Sequence, residues 1–275
     1  MSSTLSGVGT VVLVGAGKMG MAMAGGWLES GLQAEKLVLV DPTPGDATLA
    51  FASKHGLRIA ERVDIEPSVL VLAVKPQIIQ SVFEQVKPAI GEKTLVVSVV
   101  AAISIERMSA GLGTNRIVRT MPNTPAQIGK GVTGAVPGPA ANAADRDIAE
   151  ALLMAAGDVN WFNTESDLDL VTAVSGCGPA YVFHLVEAMA AAGERLGLPE
   201  DVSMRLARGT VIGAAALMDA DRESSAALLR QNVTSPNGVT AEALKVLMRD
   251  PDGLTDLMFE TAQAAKARSE ELGHD

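Results

Sequence analysis

The chain has 275 residues, 48% of them hydrophobic, and a formal net charge of −10. It is long enough to bury a substantial core and to form two domains, and its acidity excludes sequence-independent binding to nucleic acid or to an anionic membrane, both of which need clustered basic surface. The single cysteine, Cys177, excludes an intramolecular disulfide and a cysteine-based metal cluster, and His55, His184 and His274 lack metal-ligand spacing, so no metal is expected.

Residues 1–10 are small and polar, without a basic segment followed by an apolar one, so no secretory signal is read. A β-branched run predicts a strand over 10–14, ending in Gly15-Ala16-Gly17-Lys18-Met19-Gly20, and an alanine-rich helix follows over 21–28, closed at Gly31. A second strand over 36–40 ends at Asp41, before a Pro42-Thr43-Pro44-Gly45 turn and a helix to about Gly56. Further strands are predicted over 69–74, 94–99 and 116–119, and strands alternating with helices imply a parallel sheet covered on both faces. Pro137 to Asn142 reads as a surface loop.

After Trp161 the Val, Ile and Thr runs give way to Ala, Leu and Met-rich stretches. Helices are predicted over 166–174, 179–196, 199–220, 225–231, 240–249 and 254–272, with small residues at Gly176, Gly178, Gly209 and Gly213 for close helix approach. The apolar run over 180–192 is interrupted by His184 and Glu187 and is too short to span a bilayer, so a cytoplasmic protein is expected. The expected architecture is α/β: a Rossmann-type, doubly wound parallel sheet over 1–162, followed by an all-α domain over 163–275. The apolar excess on its helices predicts an interwoven homodimer or a larger assembly of dimers.

The glycine motif follows a strand, opens a helix and precedes Asp41 by 21 residues, the spacing of a dinucleotide site in which the pyrophosphate rests on the helix N-terminus. Asp41 at the strand end favours a free ribose 2′-hydroxyl, as in NADH. Val74-Lys75-Pro76 closes another strand at the carboxyl edge of the sheet, where Lys75 is either a ligand contact or a solvated side chain. By residue type, Met121-Pro122-Asn123-Thr124-Pro125 is a rigid turn. Two glycines and a proline interrupt a helical pattern at Val174-Ser175-Gly176-Cys177-Gly178-Pro179, which destabilises a helix unless close packing or a site requires them. Finally, Asn232-Val233-Thr234-Ser235-Pro236-Asn237-Gly238-Val239-Thr240 runs into a helix start, where converging backbone N–H groups suit a small anion such as a carboxylate.

Together the glycine motif, the Ser-Gly-Cys-Gly-Pro segment and the Ser-Pro-Asn-Gly-Val-Thr loop resemble pyrroline-5-carboxylate reductases, over nearly the whole chain. The resemblance implies reduction of L-1-pyrroline-5-carboxylate to L-proline by hydride transfer from a nicotinamide cofactor. It implies cofactor contacts at Gly15, Ala16, Gly17, Lys18, Met19, Gly20, Asp41, Thr43, Val74, Lys75, Pro76, Asn123 and Asn232. It also implies a substrate-carboxylate clamp over Ser235, Pro236, Asn237, Gly238, Val239 and Thr240, with Thr240 hydrogen-bonded to the ring nitrogen and Glu223 near the amine. A hydroxyl such as Thr43 holds the 2′-phosphate in the family, which leans the cofactor toward NADPH, with NADH left open. The family usually has Ser at Cys177 and Gly at Asn237; Asn tolerates positive φ, so the turn should survive.

Two other readings remain. A 3-hydroxyacid dehydrogenase would need a lysine acid/base early in the helical half, and this chain has none between Lys130 and Lys245. A nucleotide-sensing protein without turnover would have no use for the carboxylate clamp.

Overall fold

Four runs, Val11–Val14, Leu37–Val40, Val69–Leu72 and Leu95–Ser98, are apolar on consecutive positions or nearly so, which only a strand covered on both faces can bury. In the computed structural model, which describes residues 5–274, every residue of these runs is buried. The first four residues of the stretch read as lacking a secretory signal lie outside the described part.

In chain order the first half holds β1 (Val11–Val14), α1 (Lys18–Glu29), β2 (Leu37–Val40), α2 (Asp46–His55), β3 (Arg58–Ala60), β4 (Val69–Leu72), α3 (Ile79–Val86), β5 (Leu95–Ser98), α4 (Ile105–Leu112) and β6 (Ile117–Met121). It continues through β7 (Gly131–Pro137), α5 (Ala143–Met154), β8 (Gly157–Trp161) and α6 (Asp167–Val171). The eight strands form one sheet in the order β3-β2-β1-β4-β5-β6-β7-β8. One face packs against Met23 and Trp27 of α1, Ala52 of α2 and Leu152 of α5; the other packs against Phe83 of α3, Met108 of α4 and Leu168 of α6. This is the doubly wound arrangement expected.

The strands from β3 to β6 pair in parallel, β6 and β7 pair antiparallel, and β7 and β8 pair in parallel. The strands expected from the sequence all lie in the parallel part, and the antiparallel reversal at β7 was not expected. Between Met121 and Gly131 the chain makes one short 3-10 turn, Thr124–Ile128, too little to carry it back for a parallel pairing. β7 was not foreseen because Gly131 and Gly134 break its apolar run; a Cβ on Gly131 would lie 2.8 Å from the Ala156 carbonyl and one on Gly134 2.9 Å from Val171, so both glycines serve close packing inside a strand. The predicted loop over 137–142 is correspondingly shorter, since Pro137 closes β7 and Asn142 caps α5.

That cap joins an ion pair that ties the antiparallel end to the parallel core. Asn142 and Asp145 form a reciprocal capping box. Asp145 is fully buried and accepts from Arg116, whose Nε lies 3.0 and 2.9 Å from its two oxygens, while Arg116 Nη1 donates to the Lys93 carbonyl at 2.5 Å. Burial pushes the Asp145 carboxyl up, but the Arg116 guanidinium and the Asn142 N–H more than offset this and hold it below its ordinary value.

By contacts the chain divides after Cys177. One unit holds the sheet and its helices together with the chain from Ala265 onward; the other is Gly178–Ala264. A domain boundary near residue 163 was expected, whereas in contact α6 and the turn after it go with the sheet. So does the end of the last helix, where Ser269 Oγ donates to Asp169 Oδ1 at 2.6 Å. The second unit contains α7 (Gly178–Arg195), α8 (Glu200–Ala220), α9 (Ala226–Asn232), α10 (Val239–Leu247) and the start of α11 (Leu254–His274). Among its described residues α7 and α8 bury only Ala190, Ser203 and Ala207, while Phe183, Leu206, Ile212, Val246 and Phe259 are exposed. Helices this apolar and this open need cover.

Asp145→Ala, which strands Arg116, should destabilise the sheet unit by about 3–5 kcal/mol in a urea denaturation. Because the Asp145 pKa is lowered in the fold, the pair's stabilisation is complete above the ordinary carboxylate value of about 3.9 and is lost as pH falls through the lower folded value. The gap between wild type and Asp145→Asn should therefore narrow only in strong acid; a gap independent of pH would remove the ion pair as its cause.

Candidate functional site

Each glycine of the first motif meets a different steric demand. Gly15 has φ +96, donates its N–H to the Val40 carbonyl at 2.9 Å, and would place a Cβ 2.7 Å from the Ala73 carbonyl oxygen. Gly20 packs so closely that a Cβ would lie 2.3 Å from the Gly15 carbonyl oxygen, bringing α1 down onto β1. Gly17, the extended N-cap of α1, has nothing within 4 Å of its Cβ position and makes no side-chain cap. Open space thus lies before the first N–H groups of α1, and no acidic residue occupies its first turn. This cradle fits a pyrophosphate, which such N–H groups and the helix dipole hold.

Beside the loop, a cavity of about 530 Å³ is lined by Gly15, Gly17, Asp41, Thr43, Glu61 and Val74, with Lys75 among its other lining residues. The prolines of the 42–45 turn do not carry Asp41 aside. Its Oδ2 accepts the Ala16 N–H at 3.2 Å and its Oδ1 accepts the Thr43 N–H at 3.0 Å. Thr48 Oγ1 adds a buried bond to the Ala16 carbonyl at 3.0 Å, so the loop is held from two sides. Ala16, Lys18 and Met19 lie in the loop and the first turn of α1, and Pro76 opens a 3-10 turn behind Lys75. Glu61 was missed by sequence reasoning because β3, three residues long and half-exposed, gave no strand signal.

At the carboxyl end of β6 the Asn123 side chain acts as a strut. Its Nδ2 donates to the Ser175 carbonyl at 3.0 Å and its Oδ1 accepts the Val132 N–H at 2.8 Å, which ties the loop to β7 and to the segment after α6. That segment, predicted to continue the helix to residue 174, is a π turn over Thr172–Gly176, closed by the Cys177 N–H on the Thr172 carbonyl at 2.8 Å. A Cβ on Gly176 would lie 2.9 Å from Met121 Cε, so this glycine permits the π turn to press on the end of β6. Cys177 lines a cavity of about 220 Å³ with Val100, Ala102, Thr120, Met121 and Arg268. Ala102 has φ +61, a conformation that disfavours a side chain and that no sequence signal marked.

In the helical unit, Asn232 ends α9 and the chain turns through Ser235-Pro236-Asn237-Gly238. The Gly238 N–H donates to the Ser235 carbonyl at 3.0 Å, and Asn237 takes φ +57, the left-handed conformation anticipated for it. A Cβ on Gly238 would meet Ser235 Oγ at 2.2 Å. Gly238 is the extended N-cap of α10 without a side-chain cap, so the first N–H groups of α10, Val239 and Thr240 among them, are presented outward. Thr240 and Glu223 are exposed in this unit. Among the described residues no group of three His, Cys, Asp or Glu is placed to hold a metal ion, and no helix is long and apolar enough to cross a membrane.

Residues 165–272 match the family model described as pyrroline-5-carboxylate reductase dimerisation, and residues 10–102 match the one described as NADP oxidoreductase, coenzyme F420-dependent. The chain is 37% identical to a pyrroline-5-carboxylate reductase of Pseudomonas aeruginosa over 95% of this chain and 96% of that one. It superposes on a pyrroline-5-carboxylate reductase structure from Coxiella burnetii with a TM-score of 0.89 at 33% identity, covering 96% and 98% of the two chains. With a Plasmodium falciparum pyrroline carboxylate reductase solved with NADP bound, the TM-score is 0.79 at 27% identity, covering 98% and 99%.

Gly17→Ala separates the cradle from the fold. With no protein atom in the way, it should cost about 0.5–1 kcal/mol of stability. Dinucleotide affinity, read by calorimetric titration, should fall about tenfold or more, since the methyl occupies the approach to the α1 N–H groups; an unchanged affinity would place the pyrophosphate elsewhere.

Proposed function

The chain belongs to the pyrroline-5-carboxylate reductase family, and on that premise we propose how its own residues carry the family's reaction, the reduction of L-1-pyrroline-5-carboxylate to L-proline with NAD(P)H. The observation that carries this reading is the turn at Asn237. Held at φ +57, it keeps the Ser-Pro-Asn-Gly loop closed and leaves the start of α10 facing outward beside Thr240. A reduced nicotinamide, when bound, supplies the hydride to the imine carbon.

The protein's task is to position and to balance charge. The substrate carboxylate is held by Ser235 Oγ and by the N–H groups of Val239 and Thr240, where the helix dipole favours an anion. Fixing the carboxylate fixes the small ring and the orientation of its imine carbon. The Thr240 hydroxyl stabilises charge on the ring nitrogen as it changes from iminium to amine. A hydroxyl is too weak an acid to be the proton's source, so the proton reaches the imine from solvent or from Glu223, and Thr240 polarises or relays. At the other end, Gly15 to Gly20 hold the pyrophosphate, Asp41 and Thr43 face the adenosine ribose, and Val74, Lys75 and Pro76 flank the dinucleotide. Asn123 supports the nicotinamide end through the ties of its amide, and Asn232 sets the start of the substrate loop.

The enzyme is oligomeric, and we infer a homodimer or an assembly of dimers built on the open apolar faces of α7 to α11. Exposed Thr240 and Glu223 then work in a site that assembly covers, because such chemistry needs water excluded. We place the protein in the cytoplasm, where reduced nicotinamide is available.

Substrate-dependent loss of the reduced nicotinamide's near-ultraviolet absorbance tests the reaction, and no loss with either NADH or NADPH would sink it. Thr240→Ala should lower kcat about 10²- to 10³-fold with cofactor affinity nearly unchanged; an unchanged kcat takes Thr240 out of the chemistry. Sedimentation should show no stable monomer at micromolar concentration, and a folded monomer would overturn the dimer.

A further inference from the structure

We propose that this chain binds NADH in preference to NADPH, because Asp41 and Glu61 form an acidic fence where a ribose 2′-phosphate would sit. The proposal rests on the reductase reading only for the cofactor's role; the fence itself is a property of the dinucleotide pocket.

The argument begins with the sheet. β2 and β3 pair in parallel with Val40 opposite Ala60, and the Asp41 N–H donates to the Ala60 carbonyl at 3.1 Å. One residue further on, the register sets Asp41 beside Glu61, with backbones about 5 Å apart. Both residues line the cavity next to the glycine loop. The sheet order runs β3-β2-β1-β4, so Lys75, beyond the end of β4, starts two strand spacings from Asp41, about 10 Å. Among the described residues lining this cavity, Lys75 is the one cation. Arg62, next in the chain after Glu61, is exposed and does not line it.

The Asp41 carboxylate is anchored. The N–H groups of Ala16 and Thr43 hold its two oxygens from two separate segments, so it cannot turn away to admit an anion without releasing both. Each oxygen keeps a free lone pair for a hydroxyl donor, which the 2′-hydroxyl of NADH supplies and a 2′-phosphate does not. The Thr43 N–H, a backbone donor in this turn, is already engaged by Asp41. A 2′-phosphate would add a charge of about −1.5 to −2 beside two carboxylates, with one distant ammonium to oppose it. Asp41 is half-buried and Glu61 exposed, so solvent screens Glu61 more and Asp41 carries the larger share.

The test is calorimetric titration of the full-length chain with NADH and NADPH, and with the fragments AMP and adenosine 2′,5′-bisphosphate, all without imine. The expected result is NADH bound at least about tenfold more tightly than NADPH, a difference of about 1.4 kcal/mol, with the fragments ranked in the same sense. Asp41→Asn, which removes the charge and keeps the shape, should collapse that ratio. NADPH bound as tightly as NADH, or more tightly, by wild-type protein overturns the proposal. Should Asp41→Asn fail to fold through loss of its ties, Glu61→Gln serves: a narrowed ratio supports the fence, and an unchanged ratio removes Glu61 from it. The two readings fail separately. Protein that prefers NADH but oxidises neither cofactor with imine overturns the reductase and leaves the fence; protein that reduces the imine and binds NADPH better does the reverse.

Discussion

Parallel strands all point the same way, so every turn that follows them emerges at one edge of the sheet. In this chain β1, β2, β3, β4, β5 and β6 share that direction, and the residues after them are Gly15, Asp41, Glu61, Lys75, Ala102 and Asn123. These residues are scattered over more than a hundred positions of sequence, and nothing but the common direction of the strands gathers them. Only the crossover helices, packed on the two faces, make that direction possible. The dinucleotide pocket is thus a consequence of topology first and of side-chain chemistry second.

The antiparallel turn at β7 has its own role. It folds the chain back beside β6 and places Val132 and the π turn where the Asn123 amide can bridge them. The Arg116–Asp145 pair lies behind this reversal and joins β6 to the start of α5. A buried ion pair contributes little net stability over apolar packing, but losing one partner strands the other, so it makes this arrangement hard to vary piecemeal. Ala102 and the π turn at Thr172–Gly176 lie at the same edge, and irregular backbone of this kind concentrates where a site needs it.

The helical unit follows a different logic. Its helices hold their caps and turns, Ser225 accepting the Leu228 N–H and Gly238 opening α10, but they do not close a core of their own. Apolar side chains left in water on this scale are stabilised by association, so these helices are completed by assembly.

Local physics was legible in the sequence. The glycine spacing announced the tight turn from β1 into α1, Asn237 announced its left-handed turn, and apolar runs on consecutive positions announced the central strands, because each of these depends on a few neighbouring residues. The resemblance to a family then supplied the reaction and the cofactor class. What the sequence could not reveal depended on residues far apart. β7 was hidden because its glycines serve packing against Ala156 and Val171, which are contacts across the fold. Glu61 was hidden because its strand is too short to show a pattern, and its meaning comes only from standing in register beside Asp41. The direction of the Asp41 carboxylate, left open by an acidic residue before a proline-bounded turn, was decided by two N–H groups that the tertiary structure brings to it. Spacing along a chain specifies conformation, but the charge that a ligand meets is a sum over neighbours in space, and only the fold chooses those neighbours.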